Sequence, residues 1–417
     1  MKRYKLGELI DVTRGATLPG ENYSKNGKLI RITLGNFDYV NNGFKENTSK
    51  ENIFYKGSVP SEFILNKGDI ITPLTEQAIG LLGSTAKIPI SGKYIQSQDV
   101  ALVSVKSDEL LKEYAYFLLP TPGVKKQLSA GAQQTSIRHT SPDKIKDCTV
   151  FIPEKKEQKS IALFLESIEE RISLLKEENL KLDELATTIY DYWFLQFDFP
   201  NHSGCAYRTS GGKMIYNDLL CRDIPEGWDV KALADFTRDE MPSVNPSESP
   251  DSFFRHFSIP EYDNSEYYAL EMGREIKSNK YCVSEKDVLV SKLNPWTSRV
   301  LWGVTLDNLI CSSEFVSLAP LNTKIKSFVY YLAKSQPFIS YCTQGSSGTS
   351  HSHRRINPDI MKMFKVPYKE DVMVAFSELV EPYVERIMSN RAEIFELFSL
   401  RNFIMPLLMN GQAIITE

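Results

Sequence analysis

The chain has 417 residues, 42% hydrophobic and 24% charged, with a formal net charge of −4. That is an ordinary globular composition for two or three domains, and no apolar run approaches the roughly 18–20 residues of a membrane span. The start, Met1-Lys-Arg-Tyr-Lys-Leu-Gly, is basic but has no apolar stretch behind it, so no secretory signal is expected and the expected compartment is the cytoplasm.

Residues 1–157 hold 22 Lys and Arg against 17 Asp and Glu, whereas residues 158–200 hold 4 against 9. Residues 201–370 balance at 20 against 20, and residues 371–417 hold 3 against 7. The acidity is local, so the total does not exclude a partner carrying phosphates, which needs only one basic face. Six cysteines (148, 205, 221, 282, 311, 342) show no Cys-x-x-Cys spacing, so reduced and mostly buried thiols are expected rather than a disulfide framework or zinc ribbon.

In chain order, residues 1–155 break every eight to twelve positions at Gly15, Gly20, Gly27, Gly43, Gly57, Gly68, Gly83 and Gly92. Short runs rich in Ile, Val, Leu and Thr lie between, at 29–34, 69–73 and 100–105, which predicts a mostly-β head. A helix is expected over 108–119, ended by Pro120 and Pro122. Over 156–197 the pattern becomes a heptad. One row is Ile161, Ile168, Leu175, Leu182 and Ile189; the other is Leu165, Ile172, Asn179, Ala186 and Trp193. Glu169, Glu170, Lys176, Glu177, Glu178 and Lys181 form the expected solvated face. The aromatics at its end (Tyr190, Tyr192, Trp193, Phe194, Phe197, Phe199) fit either core packing or a docking surface.

A polar connector opens residues 198–370, which repeat the head's plan from Ile224 onward with runs at 287–293 and 315–318. A second long helix is expected over 371–411, with rows Phe376, Tyr383, Asn390, Leu397, Ile404 and Val380, Ile387, Ile394, Arg401, Leu408. Pro382 and Pro406 should bend or break it, and Gly411 should cap it. Each helix has a seam asparagine near its midpoint, so antiparallel pairing would set Asn179 opposite Asn390 as a register lock.

The heads repeat one another. Gly131, Thr135-Ser136, His139 and Pro153 have counterparts in Gly345, Thr349-Ser350, His353 and Pro367, each 214 positions on. Ser97-Gln-Asp99 matches Ser312-Ser-Glu314 with a shift of 215, and Lys67-Gly-Asp69 matches Glu285-Lys-Asp287 with a shift of 218. So long a period means a duplicated domain, because solenoid units run about 20–50 residues. Helices of roughly 35 residues span about 50 Å, comparable to one to one and a half turns of B-DNA.

Ile224-Pro-Glu-Gly-Trp228-Asp-Val-Lys opening a head resembles the specificity (S) subunit of Type I restriction–modification enzymes. So do the exits Val150-Phe-Ile-Pro-Glu-Lys-Lys-Glu-Gln158 and Phe364-Lys-Val-Pro-Tyr-Lys-Glu, and the ending Leu400-Arg-Asn-Phe-Ile-Met-Pro-Leu-Leu-Met-Asn-Gly411. The resemblance spans the chain, although the family's Pro-Pro-Leu-x-x-Gln exit is degraded here and the second copy lacks its glutamine. It implies an α+β chain of two duplicated, mostly-β target-recognition domains joined by two long antiparallel coiled-coil helices. Each head would read one half of a gapped double-stranded DNA site. Two methyltransferase subunits and motor/nuclease subunits would be the partners, and S-adenosylmethionine, ATP and Mg would belong to them rather than to this chain.

Base readout needs Arg for guanine and Asn or Gln for adenine, on protruding loops. The candidates in the first head are Gln133, Gln134, Ser136, Arg138 and His139, with Arg31, Asn36 and Gln77 in loops after early strands. Those in the second are Ser350, His351, His353, Arg354 and Arg355, with Lys292, Asn294 and Arg299 beside Trp296. His351-x-His353 lacks a third ligand in any recurring spacing, so no metal is expected. There is no Asn/Asp-Pro-Pro-Tyr/Phe motif, glycine-rich cofactor loop or Walker signature, so no catalytic residue is assigned. The alternatives are a specificity subunit of another restriction or defence complex, or a coiled-coil scaffold that binds protein alone.

Overall fold

In the structure, a computed structural model, residues 1–47, 51–76, 80–130, 138–348 and 353–415 are described. The chain mixes helices and strands and divides into two compact units, Met1–Arg171 with Glu396–Glu417, and Ile172–Phe395.

The first unit opens with strand Lys2–Lys5, which pairs antiparallel with Thr149–Ile152 at the far end of the head. The chain then turns at Leu6–Leu9, where the Glu8 carboxylate accepts the Lys5 N–H at 3.0 Å. A four-stranded sheet follows in the order Ala86–Lys87, Ile70–Pro73, Val100–Val105, Ile10–Arg14. A second sheet of two- and three-residue strands contains a parallel pair, Leu29–Arg31 beside Tyr94–Ile95. Pro122 does not end the expected helix but starts another. Lys112–Leu118 is followed by Pro122–Ala130, because proline at a first helical position loses only an N–H that the helix leaves unpaired anyway. The core of this unit joins Leu6, Leu9, Tyr114 and Phe117 to Ile161, Leu165, Leu408 and Met409 of the long helices.

The second unit has strand Asp229–Ala232 paired antiparallel with Lys365–Tyr368. The turn Leu233–Asp235 follows, and the Asp235 carboxylate accepts the Ala232 N–H at 2.8 Å. A three-stranded sheet runs Val300–Trp302, Val288–Ser291, Phe315–Ser317. A five-stranded sheet contains the parallel pair Phe253–Phe257 and Leu309–Cys311. Helices Lys326–Lys334 and Gln336–Gln344 complete it. Tyr190, Phe194, Phe197 and Phe199 enter this core and meet Trp228, Phe328 and Phe376, while Tyr192 stays exposed. Most of the aromatic cluster is therefore packing.

The first long helix runs Lys155–Tyr190 and continues as a π-turn over Asp191–Leu195. The second runs unbroken over Glu370–Met409, through both Pro382 and Pro406. Pro382 and Glu378, whose carbonyl it frees, are both exposed, so water can take the lost hydrogen bond. Gly411 follows with φ +69° and its N–H on the Leu408 carbonyl, which a helix C-cap requires.

Within the second unit the helices run in opposite directions: Asn179 meets Asn390, and Tyr190 and Trp193 meet Phe376. The solvated face is not wholly solvated. Glu178 pairs with Arg386 at 2.9 Å, and in the first unit Glu169 faces the buried Arg401 at 3.7 Å. A charge inside an apolar row has to find its opposite nearby, which accounts for Arg401 at a seam position. Cys148, Cys311 and Cys342 are buried, Cys282 is half-buried, and Cys205 and Cys221 are exposed; all are free thiols. Among the described residues no helix is long and apolar enough to cross a membrane.

Candidate nucleic-acid interface

In the first unit, the strand Ile70–Pro73 delivers the chain to Leu74, whose N–H donates to the Asp99 carbonyl at 2.8 Å. The Leu74 carbonyl in turn accepts the Thr140 N–H at 2.9 Å. Beyond Leu74, Thr75 and Glu76 pair antiparallel with His139 and Arg138. Segments more than 60 residues apart thus lie side by side, and the described ends of the loops holding Gln77 and Gln133–Ser136 meet. Gln77, Gln133, Gln134 and Ser136 themselves lie outside the described residues.

The acids of this cluster hold its donors. Glu76 is buried; one carboxylate oxygen accepts the Gly80 N–H at 2.7 Å and the other faces the Arg138 guanidinium at 3.6 Å. The Thr75 hydroxyl stands between Asp99 (3.4 Å) and the exposed His139 ring (3.3 Å). Arg138 and His139 therefore reach the surface from a fixed backbone.

The second unit builds the same arrangement. Lys292 N–H donates to the Glu314 carbonyl at 2.8 Å, and the Lys292 carbonyl accepts the Ile356 N–H at 3.1 Å. Leu293 bridges Arg355, and Asn294 N–H donates to the Arg354 carbonyl at 2.8 Å. The Asn294 side-chain oxygen returns a bond to the Arg354 N–H at 3.1 Å. The Arg355 guanidinium grips the Glu314 carboxylate through Nε and Nη2 at 2.9–3.1 Å yet remains half exposed. Arg354 turns back onto the Ser346 carbonyl. Lys292, Asn294, Arg354 and Arg355, expected from two separate loops, form one stitched surface. His353 adjoins it, and Ser350 and His351 lie outside the described residues.

Three expected readers are placed otherwise. Arg31 lies in a strand and is buried, its guanidinium 3.9 Å over the Tyr23 ring and bonded to the Asn52 carbonyl. Asn36 is buried in the turn Leu34–Asn36, where its oxygen accepts the Thr33 N–H (2.9 Å) and hydroxyl and its amide donates to the Lys45 carbonyl. Arg299 is buried as well and makes a two-pronged bond to Asp263 at 2.6 and 2.8 Å. Arg299, bonded through all three guanidinium nitrogens, has nothing left to offer a base edge, and burial keeps Arg31 and Asn36 from one. The acids that position the exposed donors, Glu76 and Glu314, are absent from the sequence candidates. Ser312-Ser-Glu314 already stood in the repeat, but its pairing with Arg355 is visible only once the strands are in register.

The class of fold is thus a mixed α/β chain with two long helices and two loop clusters, each edged by basic side chains among the described residues. A solved structure of a Type I restriction–modification S subunit from M. genitalium shares it, with a TM-score of 0.58 at 16% identity, covering 100% of this chain and 96% of that one. The model of the Type I restriction modification DNA specificity domain matches residues 1–184, somewhat less than half of the chain. The specificity subunit of Type I restriction enzyme MjaIX from Methanocaldococcus jannaschii is 23% identical over 327 residues, 75% of this chain and 72% of that one. The HindI specificity subunit of Haemophilus influenzae is 18% identical over 378 residues, 76% and 81% of the two chains. The resemblance carried by the head openings and exits is borne out.

Proposed function

We propose that this chain is the DNA sequence-recognition subunit of a Type I restriction–modification complex and carries no catalytic site of its own. It is built from two duplicated target-recognition domains on an antiparallel coiled-coil pair, each domain reading one half of a gapped site while the helices set the gap. The observation that carries this is one hydrogen-bond pattern found twice: Leu74 to Asp99 and Thr140, and Lys292 to Glu314 and Ile356. The repeat shifts of 218 and 215 bring Leu74 onto Lys292 and Asp99 onto Glu314, and Thr140 to Ile356 is a shift of 216, two more than that of the neighbouring His139. The head entries agree, each a strand followed by an acid-capped turn.

Two methyltransferase subunits bind the helices and heads, motor/nuclease subunits join them, and S-adenosylmethionine, ATP and Mg act on those partners. Phosphate contacts give such a surface affinity, and base-edge contacts give it sequence. Methylome sequencing before and after deletion of the chain tests the proposal. Loss of methylation at one gapped motif is expected; an unchanged methylome would overturn it. Methyl transfer by the isolated chain would overturn the non-catalytic assignment.

A further inference from the structure

Trp296 is a large aromatic that the core of the second head leaves exposed, as it does Tyr216 and Phe253, but it alone of these sits on the stitched loops. Trp296 is 41% exposed, whereas Trp228 and Trp302 are buried in the same unit. It sits in the middle of a single 3-10 turn, Pro295–Thr297, bracketed by Asn294 at φ +50° and Ser298 at φ +49°. Left-handed backbone is uncommon outside glycine; Asn tolerates it and Ser does so less readily, and such strain concentrates where a side chain must be aimed.

The turn is braced from beneath. The Asn294 carbonyl accepts the Thr297 N–H at 2.9 Å and its hydroxyl at 2.8 Å, and the Pro295 carbonyl accepts the Ser298 N–H. Arg299 donates through Nη1 to the Thr297 hydroxyl at 2.7 Å and the Leu293 carbonyl at 3.3 Å, while Nε and Nη2 hold Asp263. Pro295 is buried, so the turn is seated in the core with its indole outside. The same stitched pair of loops carries Lys292, Arg354 and Arg355.

We propose that Trp296 is the base-stacking contact of the second head, a wedge that lies against the bases of one half-site of double-stranded DNA. Arg299 and Asp263 are its positioning residues. A flat apolar face beside cations suits a nucleobase flanked by phosphates, and a wedge reads how readily a base step unstacks as well as which edges it shows. This inference rests on the DNA-recognition proposal above.

The test uses the complex with its methyltransferase subunits and two duplexes, one carrying the gapped motif from the methylation map and one scrambled. Wild-type tryptophan emission should be quenched by the motif duplex, and Trp296→Phe should lose that quench while still binding. Trp296→Ala should weaken motif binding about 5- to 100-fold with unchanged thermal unfolding, since stacking contacts are of that size and the side chain is outside the core. Unchanged affinity in Trp296→Ala, or a quench that persists in Trp296→Phe, overturns the wedge. So does loss of methyltransferase co-purification in Trp296→Ala, which would make it a protein contact. A wild-type complex that binds both duplexes equally would instead overturn the recognition proposal itself.

Discussion

The side-chain amide of Asn390 donates to the Asn179 side-chain oxygen across 2.8 Å, and to the Glu178 carboxylate at 3.0 Å. Asn390 is fully buried, and its own oxygen has no partner among the described residues. A pair of this kind lowers stability but penalises slipped registers, in which the amide would face leucine or isoleucine. Replacing both with leucine should therefore raise unfolding stability by about 1–2 kcal/mol in urea titrations. It should also broaden the set of cysteine pairs that crosslink the two helices. A single unchanged crosslinking register in the double variant would remove the register role.

Glu169 gives the first unit a pH response. Burial pushes its carboxyl up to about 7 from an ordinary 4.5, against the opposing pull of Arg401 and Lys87. The folded state holds this proton more tightly than the unfolded chain does. The group's stabilising contribution is therefore complete below about pH 4.5 and is lost as pH rises through 7. Relative to Glu169→Gln, the wild type should lose about 1–2 kcal/mol of stability between pH 4.5 and 7.5, a discounted share of the shift. Parallel pH curves for the two proteins would show the carboxyl to be unperturbed.

Arg299 and Arg355 should part company on mutation. Arg299→Ala removes a buried brace and should cost about 1–3 kcal/mol of thermal stability. Arg355→Ala, half exposed, should shift stability by no more than about 0.5 kcal/mol while weakening binding to the motif duplex. Calorimetry and anisotropy on the two variants decide the matter, and equal losses of stability would count against the division.

Lys292 makes no ion pair among the described residues. As a phosphate contact its removal should weaken motif and scrambled duplexes alike and flatten the salt dependence of log K by about one unit. A loss confined to the motif duplex would make Lys292 a base reader instead.

Inserting seven residues into each long helix beside Asn179 and Asn390 should lengthen the pair by about 10 Å. At 3.4 Å per base pair, the methylated motif should then gain about three base pairs in its gap. An unchanged gap in the methylome of the insertion strain would show that the helices do not set the spacing.

The sequence by itself determined the parts whose signal is local. Apolar residues recurring at helical spacing gave both long helices, their opposed asparagines and the Gly411 cap, because the pattern of a helix face is complete within a few turns. The repeat likewise survived in residues that close the same turns, such as Ser97 and Ser312. What the tertiary structure alone decided was which polar side chains are spent. Asn36, Arg299 and Arg31 looked like exposed readers because their chemistry suits bases, yet each is buried inside its unit. Glu314 looked incidental until strand register brought it to Arg355 from 41 residues away. Pairing across such distances depends on which strands become neighbours, and no window of sequence contains both partners.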